Sequence, residues 1–113
     1  MDDIIAKARE LGKMIGGNDR TKAFLTAAKA ANEDKAAQEV MRAYQTQAEK
    51  MQRMEYEGKP IEPDDKRKLA ESQVAVASNA RLKELSRLQA DYLELMNKVN
   101  DAIEESIGAV AKG

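Results

Sequence analysis

The stretch from Ala80 to Ile107 contains neither glycine nor proline, and its side chains repeat at alternating intervals of three and four residues. Leu85, Leu88, Tyr92, Leu95, Val99 and Ala102 form one apolar track. Leu82, Gln89, Leu93, Met96, Asn100, Ile103 and Ile107 form a second, mostly apolar one beside it. Glu84, Arg87, Asp91, Glu94, Lys98, Asp101 and Glu105 form a third that is charged throughout. A repeat averaging about 3.5 residues belongs to a helix packed along its length, since a strand repeats every second residue. One neighbour is covered by an apolar stripe a little over 100° wide, so two adjacent tracks predict two neighbours. One of these is the preceding hairpin helix; the other is either the N-terminal helices or a second subunit.

The rest of the chain also reads as helix. A first helix is expected over residues 2–15, started by Asp2 or Asp3 and stopped by Gly16-Gly17, with Ile4, Ala8, Leu11 and Ile15 on one face. A second spans 19–31, with the small-residue face Ala23, Phe24, Ala27, Ala28 and Ala31. Asn32 is the expected cap of a third helix over 33–57, which Gly58 and Pro60 end. Its seam is Val40, Tyr44, Gln47, Met51 and Met54, to be matched by Leu85, Leu88, Tyr92, Leu95 and Val99 of the last helix. Pro63, Asp64 and Asp65 open a fourth helix over 63–77, because proline and carboxylates both suit a first turn. Ser78-Asn79 either breaks the chain there or lies within a continuous helix, with a break preferred, and residues 108–113 are read as a tail. The expected fold is therefore a single all-α domain: a long antiparallel helical hairpin, coiled-coil-like, with two short N-terminal helices packed on it.

Composition narrows the chemistry. The chain has no cysteine and no histidine, which removes disulfides, thiolate nucleophiles, imidazole bases and the usual zinc ligands. Gly16-Gly17 lacks the spacing and the following lysine of a phosphate-binding loop. Glu104-Glu105 with Asp101 is a solvated face, because neighbours in sequence do not converge on a helix, and Asp64-Asp65 is helix-start electrostatics. No catalytic residues, cofactor site, metal site or small-molecule substrate are expected, so the protein is read as a non-enzyme. A net charge of −1 argues against direct nucleic-acid binding, and the basic run Lys66-Arg67-Lys68 sits beside Asp64 and Asp65. No apolar run approaches the length of a membrane span, and Met1-Asp2-Asp3 does not resemble a secretory signal, so a cytoplasmic address is expected.

What remains is interaction between proteins. In the last helix Arg81, Lys83 and Arg87 precede Asp91, Glu94, Asp101, Glu104 and Glu105, the reverse of what the helix dipole favours. An antiparallel second copy sets the basic end against the acidic end, which predicts a homodimer or higher homo-oligomer through Leu82, Gln89, Leu93, Met96, Asn100, Ile103 and Ile107. Gln47, Gln89 and Asn100 stand where apolar residues are expected, as polar seam residues that fix register do. Met41, Met51 and Met54 fill the core or, in a different reading, line an adaptable groove for varied clients.

Ala8-Arg9-Glu10-Leu11 before a helix stop, Ala31-Asn32-Glu33 opening a long helix, Met54-Glu55-Tyr56-Glu57-Gly58-Lys59 closing it, and Val99-Asn100-Asp101-Ala102-Ile103 running to Ser106-Ile107 together resemble the bacterial YlbF/YmcA/YheA family. The resemblance spans nearly the whole chain and implies an all-helical protein that associates with itself or with relatives. It further implies a regulatory accessory role: YlbF and YmcA act with YaaT on competence, sporulation and biofilm formation, and support RNA maturation through RNase Y. Some relatives carry C-terminal cysteines connected with iron–sulfur clusters; this chain has none, so no cluster is carried over and membership of that particular complex is in doubt. The function expected is a partner-binding regulatory scaffold, with a chaperone-like or structural coiled-coil module as the alternative.

Overall fold

Capping chemistry divides the chain into its elements. The computed structural model describes residues 2–112 and holds helices α1 (Asp2–Gly16), α2 (Asp19–Glu33), α3 (Lys35–Tyr56), α4 (Pro63–Ser78) and α5 (Ala80–Lys112), with no strand among the described residues. Asp34 caps α3: its backbone is extended and its carboxylate accepts from the Ala37 N–H at 2.9 Å. Asn32, expected in that role, lies in the last turn of α2, because the side chain that reaches a free N–H of α3 belongs to Asp34. α3 ends at Glu57 and Gly58, whose φ of 71° is open to glycine at little cost. Asn79 separates α4 from α5: it leaves the helical region, and its side-chain oxygen accepts from the Leu82 N–H at 3.1 Å. The break at Ser78-Asn79 is thus present. Gly108 does not stop α5, which continues to Lys112 where a tail was expected; Gly113 lies outside the described residues.

Two compact units emerge from the packing. One holds Ala27–Leu85; the other holds the residues through Thr26 together with those from Ser86 onward. Within the first, α3 packs on α4 across the connection at residues 57–62. The buried cluster is Ala31, Ala37 and Leu82, with Val40, Met41, Val76 and Leu85 packed around it. Ala37 is fully buried, so the backbones approach closely there.

Polar links hold the same unit at its far end. The Asp65 carboxylate accepts from the Lys50 ammonium at 3.1 Å and from the Glu62 N–H at 3.3 Å, and the Gln47 amide donates to the Asp65 carbonyl at 2.9 Å. Gln47, one of the polar residues expected at the seam, thus has its partner on α4. Nearer the core, Arg81 reaches the Asp34 carboxylate at 3.4 Å. The basic run is partly neutralised locally: Arg67 and Lys68 both pair with Asp64.

Candidate interaction surface

On the second unit, α5 offers two faces with different occupants. Tyr92 stacks on Phe24 of α2, with ring centroids 5.0 Å apart and planes 22° from parallel. Such offset stacks contribute roughly 0.5–1.5 kcal/mol beyond area burial. Arg20 of α2 donates to the Asp91 carbonyl at 3.4 Å and lies 3.7 Å from the Glu94 carboxylate, which also binds Lys98 at 3.1 Å. Lys98 first, then Arg20, hold the Glu94 carboxyl below the usual range. α2 thus occupies the side of α5 that carries Tyr92.

The neighbouring track is open. Leu93 is 49% exposed, Ile103 45% and Ile107 66%, while Gln89 and Asn100 are exposed and Met96 is half-buried. Leu82, grouped with these on periodicity, lies in the buried cluster of the other unit and serves the chain's own core. The helix beyond Ile107 adds Val110, 81% exposed, which the expected tail had left out; its signal was the interval of three from Ile107, masked by Gly108. On α1 no residue is buried, and Ile4 and Met14 are 71% and 73% exposed.

The ten seam residues Val40, Tyr44, Gln47, Met51, Met54, Leu85, Leu88, Tyr92, Leu95 and Val99 are all half-buried. Val40 and Leu85 pack on the buried cluster, Gln47 binds the α4 backbone, and Tyr92 meets α2. Periodicity does not mark three polar positions, Arg20, Asp34 and Asp65, each of which acts through specific contacts that leave no repeat.

Lys50 is the foremost influence lowering the pKa of Asp65, the Ala37 N–H the foremost for Asp34, and all three shifted carboxylates move downward, away from the range of a general acid at neutral pH. Among the described residues no cluster of three or more Asp or Glu could hold a metal ion, and no helix is long and apolar enough to cross a membrane. A shallow cleft in the first unit is lined by Ala28, Ala31, Met41, Leu82 and Leu85, and its Gln38 amide is engaged with the Ala31 carbonyl.

A family model described as control of competence regulator ComK, YlbF/YmcA, matches residues 4–108. In fold the chain is similar to a chain of the crystal structure of Bacillus subtilis RicA in complex with RicF, at 19% identity, over 94% of each chain, with a TM-score of 0.82. At that identity the likeness is one of fold. No curated protein sequence matches the chain.

Proposed function

The chain belongs to the YlbF/YmcA family of competence regulators, and from that premise we propose that it is a non-catalytic scaffold that self-associates and holds a protein partner. The observation that carries this reading is the open track of α5, where Leu93, Ile103 and Ile107 repeat at helical spacing and stay exposed. Apolar surface repeated along one helix face calls for a protein cover. A solved structure of similar fold is that of RicA in complex with RicF, and by that likeness the cover includes a protein partner. The chain acts in the cytoplasm as an antiparallel, coiled-coil-like hairpin whose remaining faces position the partner. Its role touches RNA processing and developmental regulation, as the family resemblance implies. No bond-making step is assigned, in keeping with three shifted carboxylates that all serve ion pairs or helix caps.

Capture of the tagged protein from its host after mild crosslinking tests the reading. A single stoichiometric partner is expected, lost in the Leu93→Asp, Met96→Asp double variant. A broad set of unrelated clients, retained by that variant, overturns the scaffold reading in favour of a chaperone-like module.

A further inference from the structure

We propose that α5 pairs antiparallel with α5 of a second copy in one register, Leu93 facing Met96 at the two-fold axis and Gln89 facing Asn100 on either side. The inference rests on the self-association proposed above and assigns its surface and geometry.

The open track runs through Gln89, Leu93, Met96, Asn100, Ile103, Ile107 and Val110, and two of its positions are polar and exposed. When such a track closes on a copy of itself, each layer sets one residue against another, and an amide left opposite an apolar side chain loses its hydrogen bonds to water. Antiparallel pairing permits few registers, because layers must match in steps of one heptad. With Leu93 against Met96, the next layers are Gln89 against Asn100 and Ser86 against Ile103. Both amides then face an amide, and each can donate and accept. Sliding by one heptad in one direction places Asn100 against Met96 and Gln89 against Ile107. Sliding in the other places Gln89 against Leu93 and Asn100 against Leu82. Of these antiparallel registers, only the first satisfies both polar residues.

Charge supports the same choice. In this register the flanking positions set Lys83 of one copy beside Glu104 of the other, twice, once on each side of the axis. Both side chains are exposed and neither engages in an ion pair within its own chain. A parallel arrangement instead brings the acidic ends of the two helices, each with Asp101, Glu104 and Glu105, side by side, which opposes association. The paired length ends where Leu82 turns into its own core. The charges thus select the antiparallel sense of the pair, and the polar layers select its register.

The chain lacks cysteine, so introduced thiols report on position without background. Gln89→Cys and Asn100→Cys are made as separate proteins; along one helix the two positions are about 16 Å apart, so neither can close on the other within a chain. Under mild oxidation the mixture is expected to give a disulfide-linked dimer while each variant alone stays unlinked. Efficient linking of either variant with itself shows parallel pairing and overturns the proposal. A dimer mass for the unsubstituted protein by light scattering, with no linking in the mixture, overturns this register and leaves self-association standing through another face. A monomer mass at every concentration overturns both.

Discussion

In the unit from Ala27 to Leu85, side chains of four helices converge: Ala31, Ala37 and Leu82 are buried, and Gln47, Lys50 and Asp34 find partners across helix boundaries. Along α5 from Gln89 to Val110, no described residue is buried, although apolar residues recur there just as regularly. The two regions share one sequence grammar and differ in whether their apolar face is covered within the chain. Amphipathic periodicity specifies that a face must be covered; it does not specify by what. The first region covers its apolar face with its own packing, whereas the second leaves part of its own open.

The largest expected effect sets the two regions against each other. Leu82→Ala should cost about 2–3 kcal/mol, the toll of a cavity at a buried leucine, equally at all protein concentrations in urea unfolding. Leu93→Ala should cost under about 1 kcal/mol in dilute protein and more as concentration rises, because its burial depends on association. Equal losses in dilute protein would erase the contrast.

In the first region, acid probes the contacts of Asp65. With Lys50 as the foremost cause, the Asp65 carboxyl titrates below its ordinary value in the folded protein. A depressed carboxyl adds stability above its unfolded pKa, and that stability disappears as pH falls through the folded value. The thermal midpoint of Asp65→Asn should therefore lie below that of the natural protein at pH 7, and the gap should close below about pH 4. Circular dichroism melts across that range check it; a gap unchanged at pH 3 rules out the ion pair as its source.

Asn79→Ala removes the side chain that caps α5 and should cost about 1 kcal/mol, read by chemical unfolding. The smallest effect belongs to the open face: Ile107→Ser should shift unfolding of dilute protein by less than about 0.5 kcal/mol while lowering the concentration-dependent mass. A larger loss in dilute protein would place Ile107 in an intramolecular contact.

The helix count, the all-helical class and the break at Asn79 were legible because capping residues and heptad intervals are local signals. The period of the α5 track was legible for the same reason, but its openness was not. Asp34 in place of Asn32 as the α3 cap was not, since both residue types cap well and backbone geometry chose between them. Val110 escaped notice because Gly108 resembles a stop, yet a single glycine costs a helix only about 1 kcal/mol.

By itself, then, the sequence determined which segments are helical and which faces must avoid water, because both follow from residues three or four apart along the chain. Tertiary structure alone decided that α3 lies on α4, that Leu82 enters the core while Leu93 does not, and that Phe24 and Arg20 take one side of α5. Those outcomes join residues far apart in sequence, and every helix face with the right period is an equal candidate until shape and specific polar contacts choose among them.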